Sequence, residues 1–234
     1  MGYWTYYLLT FALAYGTQHP ALAMLAILVY AARPWLPDPV VWLRTWGRIR
    51  SLEAEIELNP SNMIATRDLA RLHLQRRRPK KAIALLEKTR QRMAESTRHP
   101  QGSRDDAELL FALGEAKFQA RDLEGALEPL VGAVSIVPEI GRGEPYMFAA
   151  RALMKLKRWA EAEDAIDRYI DHNKSSLEAY VRLAQVRLKQ KNEKGSKEAL
   201  AEARSTWNVL PSFKRRHEWK WWLAALAAPI WMGS

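Results

Sequence analysis

Cysteine is absent from the 234 residues. That excludes a disulfide framework, thiol catalysis and cysteine-ligated zinc or iron–sulfur centres. Histidine is sparse, and His19, His73, His99, His172 and His217 share no metal-ligand spacing. No phosphate-cradling glycine loop, dinucleotide fingerprint or nucleophile elbow occurs. Glu161 with Glu163 and Asp164 with Asp167 are spaced as ordinary charges on a helix surface. These absences predict a non-enzyme with no cofactor and no metal. Charge is missing too: no Asp, Glu, Lys or Arg precedes Arg33, yet the chain as a whole carries 36 cations against 26 acids, net +10. Such an excess suits acidic proteins, anionic lipid or nucleic acid, and does not choose among them.

The charge-free opening has an aromatic, uncharged start, unlike a cleaved secretory signal. Two membrane readings stay open for residues 1–37. Leu8 to Ala32 can form one helix of about 37 Å, long enough for a hydrocarbon core of about 30 Å. Alternatively Gly16-Thr17-Gln18-His19-Pro20 turns the chain between two shorter apolar helices, and this hairpin is favoured because that polar cluster is costly at mid-bilayer. Asp38-Pro39 then looks like a helix start, the acid as cap and proline at the first helical position. Trp42, Trp46, Ile49, Leu52 and Ile56 recur at helical spacing through residues 38–58. That amphipathic connecting helix can lie at a headgroup layer or pack on the following domain.

The opposite end, residues 212–234, runs from Lys214-Arg215-Arg216 into Trp219, Trp221, Trp222 and Trp231. Its apolar stretch is too short to span, so it reads as an interfacial anchor or as a segment buried on the N-terminal hairpin. The expected membrane-interface set is Trp4, Trp35, Trp42, Trp46, Arg44, Arg48, Lys214, Arg215, Arg216, Trp219, Trp221, Trp222 and Trp231. Cations flank both apolar segments on the side of the central body, which predicts that body on the cytoplasmic face of a bacterial inner membrane.

Between these ends the chain repeats itself. Leu69-Ala70 leads to Ala82, Leu86 and Thr89; Leu113-Gly114 to Ala126, Leu130, Ala133 and Pro138; Ala149-Ala150 to Ala162, Ile166 and Tyr169; Leu183-Ala184 to Ser196, Leu200 and Ala203. The step from the first residue of each set to the small residue opening the second helix is thirteen in every case. Small residues there let the two helices of a hairpin approach closely. Successive hairpins lie 44, 36 and 34 residues apart, counted from Ala82 to Ala126, Ala162 and Ser196. The long first interval assigns about ten extra residues to a loop over Ser96 to Ser103. Pro129 falls inside a predicted helix, where it should kink the chain or end a run of hydrogen bonds.

The pattern over residues 59–211 resembles the tetratricopeptide repeat family. The resemblance implies an all-α solenoid of about four helical hairpins, with the N-terminal hydrophobic hairpin and a C-terminal hydrophobic helix added. It also implies a groove lined by the first helix of each pair. Carried over by register, the groove positions are Arg67, Arg71 and Gln75; Phe111, Glu115 and Gln119; Met147, Arg151 and Lys155; Val181, Gln185 and Lys189. Such a groove suits an extended or helical segment with acidic and apolar side chains. The Lys/Asn carboxylate clamp of chaperone-binding members is not reproduced. Arg76-Arg77-Arg78-Pro79-Lys80-Lys81 reads as a solvated turn, a lipid contact or a nucleic-acid contact, and no stacking aromatics accompany it.

The function expected from all this is a membrane-anchored adaptor that binds partner proteins, alone or as a subunit or assembly factor of a membrane complex, with anionic headgroups as a further contact. A periplasmic biogenesis chaperone and a basic nucleic-acid binder are the alternatives, and nucleic acid is the less favoured partner.

Overall fold

The structure is a computed structural model describing residues 39–60, 62–94 and 102–228, with Ala21 and Met24 as isolated helical positions. The chain divides into two compact units, residues 1–49 and 50–234. Among the described residues ten helices follow one another from Pro39 on: α1 Pro39–Leu58, α2 Met63–Gln75, α3 Pro79–Ala94, α4 Arg104–Gln119, α5 Leu123–Ile136, α6 Glu144–Lys155, α7 Trp159–His172, α8 Leu177–Lys189, α9 Glu193–Val209 and α10 Ser212–Leu226. A short 3-10 turn, Ile140–Gly143, precedes α6. No strand occurs among the described residues.

Local chemistry sets the helix starts. Asn62, Ser103, Asp122, Ser176 and Asn192 each accept a hydrogen bond from the backbone N–H three residues on, which satisfies a donor the first helical turn leaves open. The ends of α2, α4, α6 and α8 are alike. In each, the residue two past the helix adopts a left-handed conformation: Arg77, Arg121, Lys157 and Lys191, with φ of 55°, 67°, 61° and 64°. The paired bonds of a Schellman turn then form, as in Lys157 N–H to the Met154 carbonyl (3.2 Å) and Arg158 N–H to the Leu153 carbonyl (2.9 Å). A left-handed non-glycine residue costs about 1–2 kcal/mol, of which a cation at a helix C-terminus recovers about 0.3–1 kcal/mol.

The hairpins α2–α3, α4–α5, α6–α7 and α8–α9 stack in order, an all-helical tetratricopeptide-like solenoid. Ala70, Ala82, Ala126, Ala150, Ala162 and Ala184 are fully buried where helices cross, while Leu86, Leu130 and Ile166 fill the space between them. In the fourth hairpin Ser196 takes the alanine position, and its hydroxyl donates to the Ala184 carbonyl at 2.9 Å. Pro129 does not end its helix: α5 continues to Ile136. The missing N–H would have served the Gly125 carbonyl in the first turn, so only one bond near the helix start is lost. The expected insertion falls between Ala94 and Arg104, and residues 95–101 of it lie outside those described.

Two expectations require correction. Placement at a bacterial inner membrane with cytoplasmic repeats does not stand, because among the described residues no helix is long and apolar enough to cross a membrane. Nor is the C-terminal helix hydrophobic throughout. Within its 15 residues α10 carries Lys214, Arg215, Arg216, Glu218 and Lys220, and it packs on α8 and α9 as the last helix of the stack. Ala225 and Ala228 join the core cluster shared with α6 to α9. Trp222 stacks on Trp207 of α9 with centroids 4.9 Å apart and planes 4° from parallel. The hairpin or single span expected over residues 1–37 lies outside the described residues, apart from Ala21 and Met24.

Candidate peptide-binding groove

The first helices of the four hairpins, α2, α4, α6 and α8, present one face together. α2 packs on α4 and α4 on α6, whereas α6 and α8 touch only lightly. Between those last two an open cleft of about 620 Å³ forms. Its apolar lining is Phe118 from α4, Met154 from α6, Trp159 at the start of α7 and Leu188 from α8. Phe118, Met154 and Leu188 are repeat equivalents, 36 and 34 residues apart.

Ion pairs bridge the base of the cleft. Glu178 accepts from Arg151 Nε at 2.8 Å and from Arg182 Nε at 2.7 Å, tying α6 to α8. Burial lowers the Arg182 pKa from the ordinary guanidinium value, and Glu178 opposes that effect. Burial raises the Glu144 carboxyl, while Arg151 pulls it back and Glu178 pushes it further up. One helix away burial also raises Glu115, against the pull of Arg71 and a hydrogen bond from Gln119. Arg151 lies 5.4 Å from the centroid of Phe148, and Lys155 lies 4.6 Å from that of Phe118. Lys155 and Lys189 end their helices exposed at the mouth of the cleft.

The structure brings Arg151, Lys155, Gln185 and Lys189 together around this cleft. Phe111, Glu115 and Gln119 lie on α4, and Arg67, Arg71 and Gln75 on α2. Arg67 pairs with Glu108 across those two helices. Met147 and Val181 do not line a groove: they are 1% and 0% exposed, within the core cluster of α6 to α10. They stand a turn before the cleft, on the part of each helix that faces its neighbours in the stack. Register alone pointed to them, and a seven-residue shift, two helical turns, would have reached Phe118, Met154 and Leu188, whose shared spacing was the available signal.

The expected interface residues scatter. Trp4, Trp35 and Trp231 lie outside the described residues, and Trp42 falls in α1. Arg44, Trp46 and Arg48 of α1 are exposed. At the other end Lys214 donates to the Ser175 hydroxyl at 2.8 Å, and Arg215 donates to the Asn208 carbonyl at 3.0 Å. Trp221 lies beneath Arg182, 4.8 Å from its guanidinium carbon. Arg216 and Trp219 are exposed. No cluster of side chains able to hold a metal ion is found among the described residues.

Comparison with known proteins agrees with this geometry. The tetratricopeptide repeat family model matches residues 49–96 and 149–209. Those stretches include α2–α3 and most of α6 to α9, so the hairpin α4–α5, which contains Pro129, repeats in structure but falls outside the family-model match. No curated protein matches the chain. Among solved structures, the chain is similar to a crystal structure of MamA at 17% identity, covering 70% of this chain and 92% of that one with a TM-score of 0.61. It is also similar to YrrB, described as a tetratricopeptide repeat protein with an unusual peptide-binding site, at 16% identity, 80% and 86% coverage and a TM-score of 0.59. MamA from Desulfovibrio magneticus RS-1, residue 41 to its end, shares 11% identity with 73% and 93% coverage and a TM-score of 0.59. At these identities the likeness is one of fold.

Proposed function

We propose that the chain is a protein-interaction scaffold that holds a short extended or helical segment of a partner in the cleft between α6 and α8. The observation that carries this reading is the cleft's make-up: an apolar lining of Phe118, Met154, Trp159 and Leu188 with Lys155 and Lys189 at its mouth. An apolar side chain entering the cleft loses water-exposed surface, worth about 1.5–3 kcal/mol for a leucine or phenylalanine. An acidic neighbour meets the two lysines, which adds orientation more than affinity. Arg151 and Arg182 contribute shape, because their charges are already engaged by Glu178.

Peptide display against the full-length protein tests it. Enriched sequences should combine a large apolar residue with a nearby Asp or Glu. Met154→Glu, which puts a carboxylate into the apolar lining, should abolish the enrichment, and Lys155→Glu with Lys189→Glu should shift it away from acidic sequences. Enrichment unchanged in both variants rules the cleft out as the binding site.

A further inference from the structure

The Schellman turns that close α2, α4, α6 and α8 carry a pattern the groove does not use. At the same position of each stands a cation in left-handed conformation, Arg77, Arg121, Lys157 and Lys191, where glycine is free of strain. The helix dipole favours a cation there but recovers only part of the cost, so the positive charge is kept at some expense to stability. Neighbouring residues reinforce it. Gln75 to Lys81 holds five cations and no acid, Lys155 to Arg158 three and no acid, and Lys189 to Lys194 three with a single Glu193. The turn at Arg121 is weaker, with Asp122 and Glu124 beside it. At the opposite ends of the hairpins the balance differs: Val137 to Glu144 holds two acids and one cation, and His172 to Glu178 one of each.

The hairpin turns thus line one rim of the stack with cations. Among the described residues Arg77, Arg78, Lys80, Lys157, Lys189 and Lys191 form no ion pair. The field there is felt by buried His73, whose pKa is lowered first by burial and then by Lys81, with Arg78 and Arg76 adding to it against Glu53. The rim is continuous with the cleft, because Lys155 and Lys189 belong to both.

We propose that this rim is a docking surface for an acidic polypeptide tract, the continuation of the partner segment whose apolar side chain enters the cleft. The tract's course rests on the peptide-groove reading; the charge of the rim does not. A polypeptide fits better than nucleic acid for two reasons. Carboxylates interrupt the cations at Asp122, and Arg158 is held by Glu124 and Glu161, so an evenly charged phosphate backbone would meet repulsion where a peptide can place neutral residues. In addition, Trp159 of the rim lines the cleft and does not offer the stacking platform single strands use.

Fluorescence anisotropy with the full-length protein tests the proposal, using labelled octaglutamate, the same peptide led by Phe-Leu-Leu, and a short DNA duplex, each across a salt series. The combined variant Arg77→Asn, Arg78→Gln, Lys157→Asn and Lys191→Asn removes charge while keeping residues that tolerate the left-handed turn. It should weaken both peptides about tenfold or more and flatten their salt dependence, since fewer cations are engaged. A second variant, Lys80→Gln with Lys81→Gln, repeats the test on the first turn of α3 without touching a left-handed position, and should weaken both peptides in the same direction. Octaglutamate bound as tightly by both variants as by the parent chain overturns the proposal. So does a duplex that binds more tightly than either peptide and loses affinity in the rim variants, which assigns the rim to nucleic acid. If the apolar leader adds no affinity while the rim variants still lose octaglutamate, the cleft reading fails and the rim stands.

Discussion

A methyl group placed on Gly114 would lie 2.5 Å from Leu130 Cγ and 3.3 Å from the Leu130 backbone nitrogen. The obstacle is the Leu130 side chain at its branch point, with the α5 backbone also slightly too close, so Leu130 would have to move and the two helices part by a few tenths of an ångström. Gly114→Ala should therefore lower stability by about 1–3 kcal/mol, the usual cost of overpacking, read as a fall in the thermal midpoint. The opposite sign is expected at Lys191. Glycine there relieves a left-handed cost of about 1–2 kcal/mol and forfeits about 0.3–1 kcal/mol of dipole attraction, so Lys191→Gly should raise the midpoint slightly. Glu115 gives a pH-dependent case. Burial raises its folded-state pKa above the ordinary carboxyl value, so between those two values the folded chain binds more protons than the unfolded one and stability falls as pH rises. Glu115→Gln should remove that fall and stabilise the protein more at neutral pH than in acid. Equal gains in chemical denaturation at both pH values would show that Glu115 is not the group responsible. The small residue at position 114 was legible in the sequence because the repeat register marks it. The burial of Met147 and Val181 was not, since they share a helix face with Arg151 and Lys155 and with Gln185 and Lys189, and periodicity alone does not say how far along that face a neighbouring helix covers it.

At the scale of single helices α10 is decisive. It covers the end of the stack, where α8 and α9 would otherwise expose the core cluster they share with α6 and α7. A repeat array needs such a cap because each hairpin buries its apolar face only against neighbours. Trp222→Ala removes the stack on Trp207 and should cost about 1–2 kcal/mol, the aromatic pairing plus part of the buried area of a half-exposed ring. The expected readout is a lower midpoint together with a changed tryptophan emission; a variant with unchanged stability would mean that α10 does not cap the repeats. The basic, tryptophan-rich composition of this segment was plain in the sequence. That the rings and cations serve contacts with α8 and α9 depends on partners far away along the chain, and composition holds no record of them.

Across the whole stack the core is not uniform. The largest buried cluster joins α6 to α10, while a separate, smaller one holds α2 to α4. Stability in repeat arrays is close to a sum of hairpin and interface contributions, so the ends can open separately. Backbone amides of α2 and α3 should therefore exchange with deuterium sooner than those of α7 to α9 under native conditions. Equal protection throughout would show that the hairpins unfold as one.

The sequence by itself determined the hairpins, their order and their close helix contacts, because a small residue thirteen positions after the first repeat residue is a local requirement of two helices touching. It also determined the cations of the hairpin turns, which local helix-end geometry places on one rim. Only the tertiary structure decided where the groove opens, since the cleft arises from α6 and α8 standing slightly apart and from Glu178 gathering two arginines brought from different helices. It also decided the role of the C-terminal helix. Apolar and aromatic residues satisfy the hydrophobic effect equally against lipid or against another helix; docking on the last hairpin buries Ala225 and stacks Trp222 on Trp207, while Phe213, Trp219, Leu223 and Leu226 of α10 stay exposed.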